Sequence, residues 1–202
     1  MKLNSFILNY EGREMKLIVA ITGASGVIYG KRLLEELRNR NVETHLIISR
    51  AAEKVIESEL ETPKAEIEGF ATYVYDVDDL CAPLVSGSFK ADGMVIIPCS
   101  MKTLAGIAHG YSSNLILRAA DVALKEKRKL VLVPRETPLN AIHLRNMLAL
   151  AKQGVIMVPA MPAFYHRPKD IESMVNYVVG KVLDILGLEH TLFKRWLSNQ
   201  PL

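Results

Sequence analysis

The chain has 202 residues, half of them apolar and 23% charged, which is enough for one well-filled core and short for two. Its formal charge of +3 is small and its basic residues are scattered, so no nucleic-acid footprint is expected and any anionic partner should be small. Two cysteines, Cys81 and Cys99, in no CxxC or His-spaced cluster argue against a disulfide framework or a metal site and fit a reducing cytoplasm; no apolar run approaches the ~20 residues of a membrane span.

Residues 1–14 carry only the short apolar stretch Phe6-Ile7-Leu8, too brief for a signal-peptide core. They read as an N-terminal extension, with Met15 an alternative start of translation, ahead of a domain over residues 15–188. Residues 16–22 form a continuous apolar run that ends in Gly23-Ala24-Ser25-Gly26, and residues 27–38 then carry apolar side chains at helical spacing. The pattern of strand, turn and helix returns in 43–49 with 51–60, in 93–99 with 103–108, and in 130–134 with 138–151. Residues 155–158 give a last short strand and 170–186 a long amphipathic helix. A tail over 189–202, with Leu192, Phe193, Trp196 and Leu197 at helix-like spacing, is expected to pack on its own domain or on another subunit.

Strands that are apolar on both faces, alternating with helices, predict a single-domain α/β fold with a doubly wound parallel sheet, Rossmann-like or flavodoxin-like. Ligands of such sheets lie beyond the carboxyl ends of the strands. The Gly23–Gly26 turn is placed to let backbone N–H groups and a positive helix end meet an anion, although it does not match GxGxxG and a plain tight turn has the same sequence. The second strand ends in Ser49 and not in the acidic residue that grips a dinucleotide ribose, so a mononucleotide is favoured over NAD. Ser100-Met101-Lys102-Thr103 opens a helix after a strand and offers two hydroxyls and an ammonium, while serine there is also an ordinary helix cap.

Arg135 and Glu136 stand at a strand end between Pro134 and Pro138, where backbone freedom is small. Arg118 and Lys125, seven apart on one helix, have the spacing to share a face, against the alternative of a solvated helix end. Tyr165 follows the last strand, where a phenol can hydrogen-bond a phosphate. None of the five histidines has a metal-binding spacing.

Together, Thr22–Gly26, Ser86-Gly-Ser-Phe89, Gly93–Thr103, Arg118–Lys125, Val133–Pro138 and Phe164-Tyr-His166 resemble the UbiX-type flavin prenyltransferases, over about residues 16–188. The resemblance implies that Gly23, Ala24, Ser25, Ser49, Ser100, Met101, Lys102, Thr103 and Arg135 hold reduced FMN, which is itself a substrate. It implies that Tyr165 and Lys181 bind the phosphate of dimethylallyl monophosphate, with Arg118, Lys125 and Glu136 completing that pocket and no metal required. Glu136 would pass a proton to the departing phosphate, Phe89 would face the allylic cation, and Ser25 with Glu59 would remove the proton lost at ring closure. The family commonly has arginine where this chain has Lys181, which keeps the charge and loses the bidentate fork. The resemblance further implies a homo-oligomer, with a dodecamer as one form and sites at subunit interfaces, and a product delivered to a UbiD-type decarboxylase. Two other readings are a flavin-dependent cysteine decarboxylase, whose histidine near the first helix and Asn-bearing loop are missing here, and a flavin carrier without chemistry of its own.

Overall fold

The computed structural model of the chain describes residues 14–196. Its sheet contains β1 (Lys16–Ile21), β2 (Glu43–Ile48), β3 (Tyr73–Tyr75), β4 (Gly93–Cys99), β5 (Lys129–Pro134) and β6 (Ile156–Met157), in the order β3-β2-β1-β4-β5-β6. Every pairing is parallel, so each connection crosses over the sheet, and the direction of winding reverses between β1 and β4. The helices are α1 (Val27–Asn39), α2 (Arg50–Glu59), α3 (Lys64–Glu68), α4 (Met101–Ala108), α5 (Leu115–Lys125), α6 (Ala141–Lys152) and α7 (Ile171–Leu186).

The unbroken apolar strands have a direct cause, because alternate residues enter two different cores. Leu17, Val19 and Ile21 pack with Leu33 and Leu34 of α1 and with Val179 and Leu183 of α7. Ile18, Ala20, Met94 and Ile96 pack on the other face with Leu104 of α4 and with Leu117 and Ala120 of α5. Each fully buried leucine contributes about 1.5–3 kcal/mol, so both helical layers are held firmly to the sheet and the strand tips have fixed positions.

The four strand and helix repeats are present, with shifted edges. The helix expected from residue 138 starts at Ala141, because Asn140 caps it: the Asn140 side chain accepts from the His143 amide at 2.9 Å and the His143 ring accepts from the Asn140 amide at 3.4 Å. The strand expected over 155–158 is reduced to Ile156–Met157. Residues 61–92, which show no apolar run, hold α3, the edge strand β3 and a 3-10 turn at Pro83–Val85. Tyr73 and Val74 of β3 are exposed at the sheet edge, so no buried pattern marks that strand. The extension at residues 1–14 lies outside the described residues apart from Glu14, as does the tail from Leu197 onward. No helix among the described residues is long and apolar enough to cross a membrane.

Candidate active site at the strand tips

Three strand tips open into one cleft of about 270 Å³, lined by Gly23 after β1, Ser49 after β2, and Ser100, Lys102 and Thr103 after β4. The sequence brings them there through caps. Ser49 accepts from the Ala52 amide at 3.1 Å to start α2, and Ser100 accepts from the Thr103 amide at 3.3 Å to start α4. The Ser100 hydroxyl also donates to Thr103 Oγ1 at 3.1 Å. Buried Thr22 ties the tips of β1 and β4 together, donating to the Pro98 carbonyl and accepting from the Ser100 amide, both at 2.8 Å. The cleft also carries Arg50 and Asp78, which no sequence pattern singles out. Arg50 is held by Asp76 at 2.9 Å and by Asp78 at 3.1 Å, pairs that join the tips of β2 and β3.

Glu59 changes the expected role of the Gly23–Gly26 turn. Its carboxylate accepts from the amides of Gly26 at 2.8 Å and Val27 at 3.3 Å, so the positive end of α1 is already matched by an internal anion. What the turn offers a ligand is the exposed Ser25 hydroxyl and the bare backbone of Gly23. Since the first turn of α2 packs against Gly23 through Ala51 and its last residue, Glu59, accepts from Gly26, α2 lies across this turn. Glu59→Ala should lower stability by about 0.5–2 kcal/mol, as for a lost helix cap, read as a reduced urea midpoint with an unchanged slope.

A second cleft, of about 420 Å³, lies beyond β5 and β6, lined by Arg135, Glu136, Pro159, Met161 and Phe164. Arg135 Nε is buried with no hydrogen-bond partner among the described residues. Burial raises the pKa of the Tyr29 phenol in the first turn of α1, and the nearby Arg135 charge opposes that rise. Arg135 thus lies near enough to the first turn of α1 for its charge to act on Tyr29. Glu136 is exposed, and its Oε1 accepts from the Thr137 amide at 3.0 Å.

The remaining residues singled out from the sequence form two further groups. Tyr165, beside Phe164 at the rim of the second cleft, packs edge-on to Trp196 with ring centroids 5.3 Å apart. Lys181 of α7 lies 3.5 Å from Asp184, whose charge also acts on the Tyr165 phenol. Arg118 and Lys125 do not converge within the protomer: about 10 Å of helix rise separates them, and they pair with Asp121 and Glu126 respectively. Lys125 sits against the Ser86–Phe89 loop, since a side chain on Gly87 would meet its ammonium at 3.0 Å. Phe89 packs edge-on to His45 at 4.9 Å and lines neither cleft. Burial pushes the Cys99 thiol well above its usual range, so it offers no nucleophile.

The profile of the flavoprotein family matches residues 6–183. The flavin prenyltransferase UbiX of Methanocaldococcus jannaschii is 58% identical over 182 residues, which cover 90% of this chain and 98% of that protein. Among solved structures, a dodecameric FMN-dependent UbiX-like decarboxylase from Escherichia coli O157:H7 superposes with a TM-score of 0.89 at 54% identity, covering 90% of this chain and 99% of that one. AnUbiX (PadA1), solved in complex with FMN and dimethylallyl pyrophosphate, superposes with a TM-score of 0.90 at 48% identity, covering 91% and 98%.

Proposed function

This chain belongs to the flavoprotein family and, within it, to the UbiX flavin prenyltransferases, and from that membership we propose how its own residues divide the work. It is a flavin prenyltransferase that moves a dimethylallyl group from a dimethylallyl phosphate to reduced FMN. The observation that carries the assignment is the pair of clefts at the strand tips, one rich in hydroxyls and backbone, the other holding Arg135 and Glu136. Three features suit a flat anionic nucleotide: the Gly23 backbone in the cleft wall, the Lys102 ammonium, and the buried Arg135 Nε without a partner among the described residues.

Gly23, Ala24, Ser25, Ser49, Ser100, Met101, Lys102, Thr103 and Arg135 hold FMN in this reading. Reduced FMN supplies the nucleophilic nitrogen and ring carbon that take up the five-carbon group. Tyr165 and Lys181 hold the donor phosphate, and its C–O bond breaks with the electron pair going to the phosphate. Positive charge stabilises that oxygen, and Glu136 delivers a proton to it. Ser25 and Glu59 take up the proton lost at ring closure in the same reading. The donor proposed is the monophosphate.

The protein is a homo-oligomer, and we place its active site where copies meet. The first cleft falls short of the ~300–1,000 Å³ of most small-molecule sites, so another wall is needed. Helix α6 exposes Ile142, Leu144 and Leu148 while Asn146 is buried, and the second cleft, lined by Met147 of α6, exposes Met161 and Phe164 as well. A neighbouring copy brings Arg118, Lys125 and Phe89 to the donor. The product is passed to a UbiD-type decarboxylase, in the cytoplasm.

Incubation with reduced FMN under nitrogen, with dimethylallyl monophosphate in one arm and the pyrophosphate in the other, should raise the flavin mass by one isoprene unit in the monophosphate arm. Unmodified FMN in both arms would overturn the activity, and product from the pyrophosphate alone would replace the donor.

A further inference from the structure

The segment after α7 folds back onto that helix in a fitted way. A side chain at Gly180 would stand 2.5 Å from the Phe193 ring and 2.7 Å from the His190 ring, so both rings rest on a surface that glycine alone leaves open. Phe193 lies 4.8 Å from the Tyr177 ring, and Trp196 reaches Tyr165. This packing fixes residues 190–196 on the face that carries Tyr165.

One carboxylate organises the charges there. Asp184 accepts from Arg195 Nη2 at 2.7 Å and from Nη1 at 3.2 Å, a two-pronged grip, while His190 Nε2 stands 3.2 Å away and Lys181 Nζ 3.5 Å away. The Asp184 side chain is 23% exposed, against 46% for Lys181 and 54% for Arg195, so the anion lies underneath and the two cations outside. Burial opposes its ionisation, but Arg195, His190 and Lys181 outweigh that and hold its carboxyl below the usual range. The Arg195 charge also acts on the Tyr165 phenol. Two outward cations stand over one inward anion beside a phenol, a set of donors complementary to a phosphate.

We propose that Arg195 is a further binding residue for the donor phosphate and that Asp184 positions it, so that the tail completes the site of Tyr165 and Lys181. This rests on the reading of those two residues as phosphate ligands. Lysine offers a point charge, whereas a guanidinium holds a carboxylate with one edge and can meet phosphate oxygens with another.

The test uses the full chain with reduced FMN, with inorganic phosphate as the competing probe against dimethylallyl monophosphate. Arg195→Met should weaken phosphate inhibition and raise the donor KM by about tenfold or more, the loss of a charge-assisted hydrogen bond, with FMN affinity unchanged. Arg195→Lys keeps a cation on Asp184 and should lose about threefold, so it decides the matter if Arg195→Met does not fold. Asp184→Asn should raise the donor KM with little change in kcat. If phosphate inhibition stays at the wild-type value in the Arg195 variants while Lys181→Met and Tyr165→Phe shift it, the role of Arg195 falls and the phosphate site stands. If those two variants leave it unmoved as well, the donor site itself is misplaced and the inference falls with it.

Discussion

Glu136→Gln should cut turnover by about 10²–10⁴-fold, the usual worth of a positioned general acid, while FMN binding stays at its wild-type strength. The substitution is close to isosteric, and the glutamine carbonyl still accepts from the Thr137 amide, so the tip of β5 keeps its shape. What disappears is a proton that can be given to the leaving phosphate. Of the residues assigned to FMN, Gly23, Ser49, Ser100, Lys102 and Thr103 line the other cleft, while Arg135 shares the cleft of Glu136 and keeps its charge in the variant. A single-turnover assay read by mass spectrometry, beside an equilibrium titration with FMN, separates the two effects. A carrier protein without chemistry would pass flavin to its decarboxylase equally well with glutamine at this position. Wild-type turnover in the variant would remove Glu136 from the reaction and leave proton delivery to another group.

The parts of this structure that were readable from sequence are those governed by burial and by local capping. Strands β1, β2, β4 and β5 stand out because both of their faces are covered, and the ligand loops follow from the rule that sites form where parallel strands end. Ser49 and Ser100 are found this way, and both are helix caps as well as cleft residues, so the cap reading of Ser100 does not compete with its place in the cleft. Other features depend on contacts between distant segments that no spacing encodes. Glu59 reads as one more acidic residue on a helix, yet it reaches back 33 positions to Gly26. Tyr29 looks like a packed aromatic until Arg135 is seen opposite it. Arg118 and Lys125 have the spacing of one helix face, but the protomer gives each its own carboxylate, because helix periodicity says which side a residue occupies and nothing about what stands there. The edge strand β3 is invisible for the opposite reason, since its exposure erases the pattern that marks the others.

Gly23→Ala should weaken FMN binding by about tenfold or more, because an overpacking strain of about 1–3 kcal/mol falls on the wall of the cleft. The added methyl would lie 2.4 Å from Ala51 Cβ and 3.2 Å from the Ala51 backbone carbon, and neither atom is the end of a flexible chain that can swing away. The first turn of α2 must therefore shift, taking with it the Ser49 hydroxyl that caps it. Overpacking of this kind also costs about 1–3 kcal/mol of stability, so a lowered melting temperature alone would not locate the flavin. A second substitution does: Ala51→Gly removes the opposing methyl at a helical cost of about 1 kcal/mol. In the double variant the turn and helix can return to their places, and FMN affinity should recover even though stability does not. Recovery of affinity without recovery of stability would tie flavin binding to the Gly23 and Ser49 walls of this cleft, whereas unchanged FMN affinity in Gly23→Ala would mean that the flavin is not lodged against this turn.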